Sequence, residues 1–241
     1  MESVKIDKMM TRVRLIMPGE YYSIDNERTV QKEAQMPCLR SAPLLFLLTA
    51  FHLLPAPAGG TRRIAATADE ATAVLAGGCF WGVEAVFEHV RGVQSVTSGF
   101  AQYSGASSPV PVEAVRIVYD PARVTYTQLL EVFFLVAHDP TSRDRQGPDA
   151  GPEYRAVVLY QGPAEREAAK EYMSELTRTG RFPRPIVTEV LALSGFRVAE
   201  AAHQDFAARH PTDPYIVQND APKLLRLQQL FPSLYEKPRA R

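Results

Sequence analysis

From Thr72 onward the apolar residues change period repeatedly, and this alternation limits the fold more than any other feature of the chain. "TAVLAGG" is a short apolar run ending in paired glycines, the pattern of a buried strand entering a turn. Residues 80–90 then place Phe80, Val83, Phe87 and Val90 on one helical stripe. "GVQSVTSGF" and "VEAVRIVYD" read as strands, the second closed by Asp120-Pro121. Thr125 is the expected N-cap of a helix whose stripe is Leu129, Leu130, Phe133, Phe134 and Ala137. "RAVVLY" is a strand stopped by Gly162-Pro163, and residues 164–179 form a helix through Ala169, Tyr172, Met173 and Leu176. "PIVTEVLAL" predicts another strand, 199–209 a helix and 223–230 a short closing helix. The order is therefore β-α-β-β-α-β followed by α-β-α. Its first six elements match the split βαβ arrangement, so the expected class is α+β, a ferredoxin-like α/β plait with additional C-terminal helices and a strand.

Composition removes several functions. Lys plus Arg equals Asp plus Glu, so the net charge is zero and no basic stripe suggests nucleic acid. Two cysteines, Cys38 and Cys79, are too few for a disulfide framework or a cysteine-rich metal site. The histidines (His52, His89, His138, His203 and His210) show no metal-ligand spacing, and "AAHQDFAARH" reads as a helix face. No metal or cofactor is expected.

The ends differ from the middle. Residues 1–35 are a polar extension without a sustained period. Read from Met36, the chain has Arg40, an apolar run over 44–54 and a small-residue Ala56-Pro57-Ala58 ending, the layout of a secretory signal. The run is too short for a stable membrane span. The expectation is translation from Met36, with 1–35 a gene-start artefact, 36–58 a signal, 59–70 a linker, 71–236 the folded domain and 237–241 a tail. The protein would then be exported, periplasmic or secreted; without a working signal it would be cytoplasmic. Loss of the signal would remove Cys38 and leave Cys79 as the single thiol.

Cys79 follows Gly77-Gly78 at the first turn of the predicted helix. A free thiol titrates near about 8.5, and helix N-termini pull it toward or below about 7. The turn is expected to point the sulfur outward as a reactive thiolate. The opposing expectation is a packed cysteine, since free Cys is among the most buried residue types. Trp81 divides the same way, between core and an apolar wall beside the sulfur.

"GGCFWGVE" (77–84), followed by "GV.S...GFA" (92–101), resembles the A-type peptide methionine sulfoxide reductases. The resemblance continues through "EAVRIVYDP", "LLEVFF..AHDPT", "RQGPDAGPEYRA", "RPIVTEV", "EAAHQDFAARHP" and "LFPSLY", covering about 72 to 235 with the motifs in order. It implies the same plait and a thiol chemistry. Cys79 would attack the sulfur of a methionine sulfoxide, Glu113 would protonate the leaving oxygen, and Asp149 and Tyr154 would surround that oxygen and the cysteine. Phe80 and Trp81 would wall the pocket for the methyl group. The products would be methionine and a cysteine sulfenic acid. Taken singly, Glu113 is an ordinary strand-opening residue, Asp149 a turn residue, Tyr154 a half-buried strand residue and Phe80 a core residue.

The pattern departs at two places. The family's stretch before the acid is longer and carries a second tyrosine; here "GFAQYSGASSPVPVEAV" is short, and Tyr103 is the only nearby candidate. No cysteine follows Cys79, so regeneration requires an external reductant, a thioredoxin-like protein or a small thiol. The expected enzyme is a monomer that reduces methionine-S-sulfoxide, free or in oxidised proteins. The alternatives are a catalytically impaired relative that only binds oxidised-methionine segments, and a thiol peroxidase.

Overall fold

The computed structural model describes residues 70–104 and 110–238. The extension, the signal reading, Cys38, nearly all of the linker, residues 105–109 and the last three residues lie outside them.

β1 (Ala71–Gly77) lies between β3 (Val112–Tyr119) and β6 (Ala156–Tyr160), antiparallel to both. β3 also pairs antiparallel with β2 (Val93–Ser104). β1 is buried on both faces, which is why it reads as a continuous apolar run rather than an alternation. Ala73 and Leu75 face the main core with Phe87, Ile117, Leu129, Leu130, Phe133 and Phe134. Val74 and Ala76 face a smaller cluster with Ala101, Val112, Ala114, Val157 and Leu159.

The additional C-terminal strand has a larger part than the sequence suggests. β7 (Glu189–Val198) runs antiparallel to β2 and parallel to β6, so the sheet closes in the order β1-β3-β2-β7-β6. The architecture is thus a mixed α/β domain around a closed five-stranded sheet, where the sequence reading has an appended strand. β7 brings Leu191 and Leu193 to the smaller cluster, burying the second strand face that an open sheet would leave wet.

α1 (Phe80–Glu88) packs on β2 and β3, and α2 (Tyr126–Val132) packs on α3 (Pro163–Arg178). Thr125 caps α2 as expected, in a full capping box with Gln128. Thr125→Ala should cost about 1 kcal/mol. Thermal unfolding should show a fall of roughly 2–5 °C in Tm, with turnover unchanged.

Beyond β1–β3 the structure adds one element and corrects one expectation. A two-rung hairpin, β4 (Arg145–Gln146) with β5 (Asp149–Ala150), occupies a stretch too short to show a period. The helix expected over 199–209 is broken into a 3-10 turn, Ala201–His203, and a single turn α4 (Phe206–Arg209). Asp205 between them has φ 52, in the left-handed region, so the helix cannot pass through it. A π turn, Ile216–Asp220, then leads into α5 (Ala221–Leu230). Among the described residues no helix is long and apolar enough to cross a membrane.

Candidate active site

β1 ends in the glycine pair and delivers Cys79 to the N-cap of α1. Gly78 is held at φ +87, and the Gln146 side chain occupies the space a Cβ would need. That side chain is itself fixed, accepting the Asp139 N–H at 2.8 Å and donating to the Asp139 carbonyl at 3.0 Å. Glycine is therefore required for both conformation and space.

The turn seats the sulfur inward. Cys79 is 9% exposed, and burial pushes its thiol up to about 12. Hydrogen bonds with the Tyr215 hydroxyl and the Trp81 N–H oppose the rise, while Glu113 adds to it. This reverses the expected exposed, low-pKa thiolate. The helix terminus acts through one N–H, and loss of water around the sulfur outweighs it.

Glu113, near the start of β3, is brought to the same helix terminus: its Oε2 accepts the Phe80 N–H at 3.0 Å. Burial, opposed by that bond and assisted by the charges of Asp149 and Glu153, pushes its carboxyl up to about 7. Asp149 lies in β5, and Tyr154 ends the 3-10 turn Pro152–Tyr154. Arg155, 6% exposed, ties this loop down by donating to Asp144 at 2.7 Å, with Glu189 of β7 at 3.7 Å. Burial and the nearby charges of Glu113, Asp149 and Cys79 push the Tyr154 hydroxyl up to about 12. The sequence candidates Cys79, Glu113, Asp149 and Tyr154 thus meet in one place. Tyr103 does not join them; its hydroxyl donates to the Val110 carbonyl at 3.2 Å.

Phe80 and Trp81 belong to an aromatic wall rather than only to the core stripe. Trp81 stacks on Phe206 at 3.8 Å with the rings 11° apart, and on His203 at 5.9 Å. Phe80 meets His203 and Phe100, each at 5.6 Å. His203 and Phe206 are absent from the sequence assignment because a continuous helix would have made them one solvated face. Their spacing of three was visible; the kink that turns both onto Trp81 was not.

Tyr215 is the other residue the sequence reading omits. Its hydroxyl donates to Asp149 Oδ2 and bonds the Cys79 sulfur, and its ring meets Trp81 edge-on at 5.8 Å. A hydroxyl has one proton, so with that proton on Asp149 the thiol is the donor to the tyrosine oxygen. Burial and the bond to Asp149 raise the Tyr215 hydroxyl's pKa. Tyr215→Phe removes this bridge while keeping the ring. A single-turnover assay of methionine formation should show a loss of roughly 10- to 100-fold. Among the described residues no His, Cys, Asp and Glu cluster could hold a metal.

The sequence model of the peptide methionine sulfoxide reductase family matches residues 71–233. Peptide methionine sulfoxide reductase MsrA 2 of Mesorhizobium japonicum is 46% identical over 177 residues, 69% of this chain and 91% of its own length. A peptide methionine sulfoxide reductase MsrA of Thermus thermophilus is 42% identical over 177 residues, 68% of this chain and 97% of its own. Among solved structures, reduced Mxr1 of Saccharomyces cerevisiae aligns with a TM-score of 0.54 at 25% identity, covering 60% of this chain and 87% of that one. With the family model spanning more than half its length, the chain belongs to the peptide methionine sulfoxide reductase family.

Proposed function

We infer that this enzyme reduces methionine sulfoxide to methionine, leaving Cys79 as a sulfenic acid. One observation supports the reading most directly: a buried thiol and a carboxyl raised to about 7 share the first turn of α1, beside an aromatic wall. The substrate's methyl group fits against Phe80 and Trp81, and its oxygen toward Glu113 and Tyr154. Glu113 protonates that oxygen as the Cys79 sulfur attacks. The thiol proton passes to Tyr215 and on to Asp149. The sulfoxide sulfur gains two electrons, the Cys79 sulfur loses two, and the oxygen ends on Cys79 as S–OH. One external thiol then displaces water to give a mixed disulfide, and a second releases Cys79 as the thiol. A thioredoxin-like protein or a small thiol serves, with the enzyme a monomer.

A sulfoxide sulfur is chiral, and a wall that takes the methyl opposite an acid that takes the oxygen accepts one hand. We assign the S epimer, free or within oxidised proteins. Single-turnover assays with each epimer of an N-acetylated methionine sulfoxide should give methionine from S alone; methionine from R at an equal rate contradicts the assignment. The family match and the curated relatives favour this enzyme over the binding-only alternative. The β6-β1-β3-β2 antiparallel order supports treating that part of the sheet as a ferredoxin-like plait closed by β7. Export rests on the sequence over 36–58. N-terminal sequencing of the mature protein should find Gly59 or a near neighbour, and an intact Met1 refutes it.

A further inference from the structure

The aromatic wall depends on a segment with little regular structure of its own. β7 ends at Val198, opposite Gly99 of β2, and the next rung is Ala199 N–H to the Ser98 carbonyl at 3.0 Å. Beyond it the chain leaves the sheet, and the Gln204 side chain takes over the β2 edge. Its Oε1 accepts the Ser98 N–H at 3.0 Å, and its Nε2 donates to the Ser98 carbonyl at 2.9 Å and the Ala199 carbonyl at 3.0 Å. One side-chain amide thus reproduces both halves of a strand pairing.

The neighbours of Gln204 are the wall residues. His203 precedes it and Phe206 follows across the left-handed Asp205, the one non-glycine residue with positive φ among the described residues. A strained backbone of this kind persists where its surroundings hold it. Arg209 holds it from one side, donating to the carbonyls of Ala201, Ala202 and Gln204. The carboxyl of Glu84, 1% exposed, is buried close to Asp205 and Ser98. Glu84 lies on α1 three residues after Trp81, so the same helix supports both sides of the Trp81–Phe206 stack.

We propose that Gln204 is a positioning residue: by splicing 203–206 onto the edge of β2 it sets His203 and Phe206 against Trp81 and so shapes the methyl-binding wall. This rests on the functional reading above only in calling the wall a substrate pocket. The device acts on substrate affinity more than on chemistry, because it touches neither Cys79 nor Glu113.

Gln204→Ala removes all three bonds, and Gln204→Glu keeps the size and the acceptor while losing both donors. Each should raise KM for an S-sulfoxide peptide by about tenfold, with kcat within about threefold of wild type. The sole tryptophan of the chain reports the wall directly. Both variants should shift Trp81 emission in the absence of substrate, whereas Thr125→Ala, matched for loss of Tm, should leave emission and KM unchanged. An unaltered KM with unaltered emission overturns the proposal, as does a fall in kcat alone. Should Gln204→Ala not fold, Gln204→Glu decides. A wild type that forms no methionine sinks the functional reading instead, and the emission shift still judges the clamp.

Discussion

Cys79→Ser should form no methionine in a single turnover, a loss of roughly 10³-fold or more, while retaining the fold and sulfoxide binding. The hydroxyl has nearly the volume of the thiol it replaces, and the Tyr215 hydroxyl and the Trp81 backbone N–H remain to hydrogen-bond it. It cannot, however, accept the substrate oxygen as a sulfenic acid. The same environment predicts how the wild-type thiol behaves without substrate. Burial pushes it up to about 12, so at neutral pH the resting group is the thiol. Iodoacetamide should alkylate it at pH 7 more slowly than a free cysteine, whose thiol titrates near about 8.5. Quantitative mass spectrometry of the alkylated peptide measures this, and labelling faster than free cysteine would return the site to an exposed thiolate.

Glu113→Gln carries the second large effect, a fall of about 10²- to 10⁴-fold in the methionine burst. The amide oxygen still accepts the Phe80 N–H, so the geometry of the first turn survives. The proton for the sulfoxide oxygen is what disappears. Burial raises this carboxyl from its ordinary value of 4.5 to about 7, so it is an acid below neutral pH and a carboxylate above. The wild-type single-turnover rate should be level below pH 7 and fall above it, approaching tenfold per pH unit. In Glu113→Gln the slope should vanish. A wild-type rate that climbs with pH to a plateau would instead mean that a preformed thiolate attacks, and the Tyr215–Asp149 route for the thiol proton would be wrong. The stability consequence has the same sign. The folded state holds the proton more tightly than the unfolded chain, so this contribution is present below pH 4.5 and is lost as pH rises through 7. Above pH 7 the glutamine variant should therefore be no less stable than wild type, as denaturant titration at pH 8 would report.

How much of this was legible without coordinates depended on the range of the interaction concerned. Thr125 with Gln128 three residues on, the glycine pair before Cys79 and the apolar run of β1 each act within a few residues, where dihedral preferences and side-chain period operate. Glu113, Asp149 and Tyr154 were reached only through the resemblance, since no local spacing distinguishes them from ordinary strand and turn residues. Tyr215 was beyond reach. Its partner Asp149 is 66 residues away, and nothing near Pro214-Tyr215 marks the hydroxyl as the one that meets the sulfur.

The sequence by itself determined where α1 begins, that the chain's sole tryptophan stands two residues after a cysteine, and which run of strands and helices surrounds them. Tertiary structure decided the rest. It closed the sheet through β7, because the second face of the strands had to be covered. It broke the expected helix over 199–209, because the Gln204 amide completes the β2 edge and Asp205 turns the chain. It also reversed the sign of the shift at Cys79. A helix terminus is a local feature and can be read from a few residues, whereas desolvation sums over everything packed around the sulfur and exists only once the chain has folded.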